Sequence, residues 1–188
     1  MIKKLFLILC ALVLCSSSYA GNIKDIKKVI ARKNAGCTIP GAADVSYETT
    51  DSSNTFVTGA AEGQSFASGA GGKLAQICVN IDYNGSAGTI GLRIDDDTNL
   101  ADAPVEDFGN SASISSDGWV CFPSVTNPTI TATTTYYIGV MENSGDLKWY
   151  HDSAAEYGSG QGWVANSGWT LGENNPAIDM TFRVYYCD

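Results

Sequence analysis

Apolar residues in most of this chain alternate with polar ones in short runs, and this period of two constrains the fold more than any other feature. The runs are KLAQICVNIDY, TIGLRI, GWVCFP, TTYYIGVM and AIDMTFRVYY. Successive side chains of a β-strand point to opposite faces of a sheet, so each run predicts a strand with one buried face. The predicted core residues are Ile77, Val79, Ile81, Ile90, Leu92, Ile94, Val120, Phe122, Ile138, Val140, Met180, Phe182 and Val184.

Turn signals separate these runs, for example Asn84-Gly85, Asp117-Gly118 and Ser144-Gly145. Short strands at such spacing are typical of a β-sandwich or barrel. No internal repeat and no second zone of composition follow residue 40. We therefore expect one all-β domain over residues 41–188.

The first 20 residues are typical of a secretory signal peptide. Lys3 and Lys4 precede an apolar run from Leu5 to Leu14, and Ser18 and Ala20 are the small residues of a cleavage site before Gly21. The run is shorter than the ~20 residues that span a bilayer. Lipidation at Cys15 is the alternative, but the residue before that cysteine is Leu14, where lipoprotein signals have a small residue. The expectation is a secreted protein, extracellular or periplasmic, with no membrane span after cleavage.

Residues 21–40 are predicted to be an N-terminal arm or linker. Its segment NIKDIKKVIARK, 22–33, has isoleucines at helical spacing and is either a short docking helix or a solvated leader. Cleavage would leave nine basic against twenty acidic residues, a formal charge of −11. Such a charge repels nucleic acid and anionic lipid, so we expect neither as a partner.

Four cysteines follow the predicted signal: Cys37, Cys78, Cys121 and Cys187. An even number in an exported chain predicts two disulfides, and their wide spacing is unlike that of a zinc site. Three pairings are open. We favour Cys37–Cys187, because chain ends often lie close together, and hence Cys78–Cys121. The strand phase places Cys78, Cys121 and Cys187 on outer faces.

The order of the strands resembles the choice-of-anchor R domain, a secreted jelly roll of bacterial and phage surface proteins. The resemblance covers about residues 55–186. The matching stretches are Gln64–Phe66, Gly72–Leu74, Thr134–Tyr137 and Phe182–Tyr185. It implies a jelly-roll β-sandwich of two antiparallel sheets. That fold is also similar to carbohydrate-binding jelly rolls, which suggests glycan binding by analogy.

Aromatic residues crowd one stretch that is rich in Gly, Ser and Asn. We expect Trp163, Trp169, Tyr157 and Tyr150 to bind a ligand there, because aromatic faces stack on sugar C–H groups while polar neighbours bond the hydroxyls. The alternative is that the aromatic side chains pack into the core at one end of the fold, and we favour this packing role for Trp149.

An acidic segment, 95–107, is a candidate calcium site, since hard cations take oxygen ligands. Asp95, Asp97, Asn99 and Glu106 occupy positions 1, 3, 5 and 12 of an EF-hand-like loop. The sixth position is Leu100 where an EF-hand has glycine, so a looser site is the prediction and a solvated acidic turn the alternative.

Catalytic signals are sparse. The single histidine, His151, lies beside Asp152, but no G-x-S-x-G nucleophile motif occurs, and we predict no enzyme activity. Two functional classes remain. The first is a non-catalytic binding module for a glycan or a surface ligand. The second is a structural or appendage subunit that engages protein.

Overall fold

A computed structural model describes residues 37–56, 59–154 and 156–187, and for 165–167 it describes the backbone alone. The predicted signal peptide and the 22–33 segment lie outside the described residues. The unit discussed below begins at Cys37.

The described part of the chain is all-β, with twelve strands and no helix. Neighbouring strands pair antiparallel, in the order β1-β12-β4-β8-β3-β9-β10, and the remaining five attach to β4 or β8. The strands are β1 (Val45–Tyr47), β2 (Ser52–Thr55), β3 (Glu62–Ala67), β4 (Gly72–Asp95), β5 (Glu106–Asn110), β6 (Gly118–Pro123), β7 (Thr129–Ile130), β8 (Thr135–Asp152), β9 (Gly162–Ser167), β10 (Thr170–Asn175), β11 (Asp179–Met180) and β12 (Phe182–Tyr186).

Two long strands, β4 and β8, organise the sheet. They pair with each other from Ile81↔Trp149 to Asp95↔Tyr137. The first half of β4 also lies between β12 and β6, and its second half pairs with β5. β8 pairs with β3 near its start and with β2 near its end. Each long strand therefore belongs to two different sets of neighbours.

The predicted alternation is confirmed. Twelve of the thirteen residues predicted to face the core are buried. Val120 is only partly buried, although it packs against the same cluster. It lies on β6, which pairs with β4 alone among the described strands, so one side of it has no strand to cover it.

Both disulfides match the pairing that we favoured. Cys78 and Cys121 are directly opposite each other on β4 and β6, with Cα atoms 4.0 Å apart. Cys37 and Cys187 have Cα atoms 4.8 Å apart and join the two ends of the described chain.

Cys78 is on the outer phase of β4 yet is only 1% exposed. Arg183 on β12 is its partner on one side, and the guanidinium carbon of Arg183 lies 3.9 Å from the ring centroid of Trp119 on β6. Because β4 runs between β12 and β6, this side chain must cross β4 to reach the indole. The crossing explains why a residue on the outer face is covered.

Within the described residues, no helix has the length and apolar character that a membrane crossing requires.

Candidate functional site

A second, smaller apolar cluster lies apart from the main core. Its buried members are Ala61, Leu100 and Leu171, and Tyr137, Met141, Trp163 and Trp169 pack against it while partly exposed. We call these last four residues the aromatic strip. Tyr137 and Met141 occupy the phase of β8 opposite the core residues Ile138 and Val140, so the cluster forms on the outer face.

Three glycines make room for this cluster on the sheet. Gly63 on β3 is opposite Gly139 on β8, and Gly91 on β4 is opposite Met141. A Cβ at Gly63 would lie 2.4 Å from Leu171 Cδ1, and one at Gly139 would lie 2.9 Å from Leu100 Cδ2. Carbon atoms that are not bonded to each other do not approach so closely. Because glycine has no Cβ, both leucine side chains can pack directly against the backbone of these strands.

Trp169 packs at the same place and stacks against the guanidinium of Arg93. A Cβ at Gly91 would lie 3.1 Å from its Cζ2 atom. The guanidinium carbon of Arg93 lies 4.5 Å from the ring centroid, a cation–π distance. Arg93 in turn donates to the Asp107 carboxylate at 2.9 Å and to the carbonyl of Leu100 at 3.0 Å. The indole is therefore held in place while part of it reaches solvent.

Trp163 is the other tryptophan of the strip. Its ring meets that of Tyr137 edge-on, with centroids 5.4 Å apart and an interplanar angle of 78°. Its Nε1 atom is buried and has no hydrogen-bond partner among the described residues. The backbone of β9 at Trp163 pairs with β3 at Gly63, which sets this indole beside the cluster.

The structure brings together two of the four residues predicted to bind a ligand. Tyr157 lies elsewhere: it packs against Phe182 and Tyr47 at 5.5 and 5.2 Å between centroids, and burial raises its pKa to about 12. Tyr150 is half-buried near the end of β8, opposite Ser53, whereas Tyr137 is near the start of that strand.

Tyr137 and Met141 were missed as site residues. Their signal was present in TTYYIGVM, where both are apolar or aromatic residues on the polar phase of the strand.

The four candidate calcium ligands are engaged with their own chain. Glu106 is buried and accepts hydrogen bonds from Ser124 Oγ at 2.6 Å and from the amides of Val125 and Thr126 at 2.7 and 3.0 Å. Asp97 accepts from the Asn99 amide, and Asp95 from that of its neighbour Asp96. Across the ranges described, no three acidic, His or Cys side chains converge as metal ligands. The calcium site stays a prediction, and Glu106 already accepts three hydrogen bonds from its own chain.

His151 and Asp152 do not act on each other as a catalytic pair would. Asp152 accepts hydrogen bonds from the Tyr47 hydroxyl and from the Ala154 amide. His151 is buried, its Nδ1 has no partner among described residues, and desolvation lowers its pKa. A catalytic triad requires a carboxylate that orients the imidazole by a hydrogen bond. Asp152 instead accepts its hydrogen bonds from Tyr47 and Ala154.

Comparisons with protein-family models, with curated proteins and with solved structures find no match for this chain.

Proposed function

We propose that this protein is a secreted, non-catalytic binding module that takes a neutral glycan on the aromatic strip. The observation that carries the proposal is that Trp163 and Trp169 are both partly exposed while the cluster beneath holds them in place. Loops and hairpins fixed on a rigid scaffold commonly carry binding. Two disulfides support export, because such bonds persist in oxidising compartments.

A jelly-roll sandwich is the architecture that we propose for this module. The pairing of β4 and β8 supports this architecture. Each of the two strands pairs with one set of strands near its start and with another set near its end. Residues from both halves of β4, such as Ile77 and Leu92, belong to one buried cluster. Two layers formed from bent strands that close on one core would account for this pattern.

Glycan chemistry suits the strip. Indole and phenol rings offer flat apolar surface to the C–H faces of a sugar, and the rim of the strip includes the polar residues Arg93 and Asp107. The formal charge of the whole chain is −9, which disfavours an anionic ligand.

Replacing Trp169 or Trp163 by Ala should weaken binding to a neutral oligosaccharide about tenfold, a loss of about 1.4 kcal/mol. A glycan array on the mature protein would identify the oligosaccharide, and calorimetry would give the affinities. Tyr150→Ala is the matched control, because it removes a half-buried aromatic side chain away from the strip, and it should leave the affinity unchanged.

Unchanged affinity in both tryptophan variants would contradict the proposal. So would an array on which no neutral glycan binds, and that result would favour an appendage subunit that engages protein. Thermal melts of each variant separate lost binding from lost folding.

A further inference from the structure

A cavity of about 380 Å³ lies on a different part of the protein, between the segment 111–117 and β6. The residues that line it include four serines, Asp117 and Trp119. No residue of the aromatic strip lines it. The volume falls in the range of small-molecule sites, roughly 300–1,000 Å³.

The indole of Trp119 is fixed from outside the cavity. Arg183 crosses β4 to stack on this ring, as described above, and its guanidinium is ion-paired with the Glu48 carboxylate. Trp119 is partly exposed, and it is one of the residues that line the cavity. The ring is therefore positioned before any ligand arrives.

The opposite wall is also held in place. The Ser111 amide donates to the Ile90 carbonyl at 2.8 Å, and the Ile90 amide donates to Ser111 Oγ at 3.1 Å. Gly88 and Ile114 exchange two backbone hydrogen bonds of 3.1 and 2.8 Å. At the other end of the segment, Asp117 accepts from the Tyr83 amide at 2.8 Å. These bonds tie the wall to β4 at several points along its length.

The chemistry of the walls selects the ligand class. Ser113, Ser115 and Ser116 are exposed, and each hydroxyl can donate and accept hydrogen bonds. Among the described residues no Lys, Arg or His lines the cavity, and Asp117 is the one charged residue there. An anion would find no cationic partner here and would meet the Asp117 carboxylate, whereas a neutral polyhydroxylated ring would find hydroxyl partners and an aromatic residue.

We propose that this cavity is a second saccharide site, in which a ring of a neutral glycan stacks on Trp119 and exchanges hydrogen bonds with the serines of segment 111–116. The proposal does not depend on the aromatic strip, because the two share no residue. A module with both sites could engage one polymer at two points, which raises its overall affinity.

The four tryptophans of the chain permit a site-specific test by NMR. Each gives one indole N–H resonance, and single Trp→Phe variants of the full mature protein assign them. We would titrate the protein with neutral oligosaccharides of glucose, xylose, mannose and N-acetylglucosamine. We expect at least one of them to shift the Trp119 resonance, while the resonance of the fully buried Trp149 stays unchanged.

Two variants complete the test. Trp119→Ala should lower the affinity of that oligosaccharide at the cavity about tenfold. Ser116→Leu narrows the cavity at an exposed position and should weaken binding in the same way, even if Trp119→Ala disturbs folding. The proposal is overturned if no oligosaccharide moves the Trp119 resonance. Shifts confined to Trp163 and Trp169 would also overturn it, while they would support binding at the strip.

Discussion

Replacing Trp149 by Ala is expected to lower the free energy of unfolding by about 3–5 kcal/mol. This side chain is 0% exposed and belongs to the main core. Its Nε1 donates to the Thr181 carbonyl at 2.8 Å, and its backbone pairs with Ile81 on β4 and with Asn54 on β2. The substitution removes a large apolar side chain and leaves a cavity where three strands meet. Urea denaturation monitored by circular dichroism measures the loss.

Two further variants separate the contributions. Trp149→Phe retains most of the apolar volume but leaves the Thr181 carbonyl without its donor, which costs about 1–3 kcal/mol. Trp169→Ala removes the same side chain from the partly exposed strip and should cost less than Trp149→Ala, since less buried surface is lost. Equal losses for Trp149→Ala and Trp169→Ala would contradict the distinction between core and strip.

The core could be predicted because its signal is local. Residues such as Ile77, Val79 and Ile81 face one way in any strand that contains them, whichever strands become its neighbours. The packing role favoured for Trp149 is confirmed for the same reason, since it shares the phase of the buried Leu147. Val120 is partly buried because its strand lies at an edge, and edge position depends on pairing that the alternation does not encode.

The candidate site was harder to predict because it depends on contacts between strands. Trp163 and Trp169 were identified from composition, but Tyr157 was grouped with them on nearness in sequence, and the structure packs it against Phe182 instead. The cluster exists because Gly63, Gly91 and Gly139 occupy neighbouring strands, and that alignment appears only once register is known. The coverage of Cys78 by Arg183 likewise requires the order of three strands.

An inward-facing carboxyl group was not anticipated at all. Glu62 and Gln64 occupy the same phase of β3 as the buried Phe66, and Glu62 is 1% exposed. Its Oε1 accepts one hydrogen bond from Asn54 Nδ2 at 2.9 Å, and its Oε2 has no partner among the residues described. Burial without a cationic partner disfavours the charged form, so desolvation raises the pKa of Glu62 to about 7.

The protein should therefore lose stability as the pH rises from about 4.5 to about 7. An acid whose pKa is raised by folding binds its proton more tightly in the native state, so its contribution is complete below the unfolded pKa of 4.5 and declines up to the folded pKa. This rise in the pKa of Glu62 corresponds to a loss of about 3 kcal/mol in the free energy of unfolding by pH 8. Glu62→Gln keeps an acceptor for Asn54 and cannot ionise, so it should be more stable than the wild type by about that amount at pH 8.

The two proteins should have nearly equal stability at pH 4, where Glu62 is protonated, and they should diverge as the pH rises. Other titratable groups also make the free energy of unfolding depend on pH. Desolvation raises the pKa of Asp179, which lowers stability as the pH rises. Desolvation lowers the pKa of His151, which raises stability as the pH rises. Both groups are present in the variant, so the difference between the two denaturation curves at each pH isolates Glu62. A difference in the free energy of unfolding between the two proteins that stays constant from pH 4 to pH 8 would contradict the prediction. It would mean that the folded protein accommodates the Glu62 carboxylate without cost, for example by a water molecule bound at Oε2.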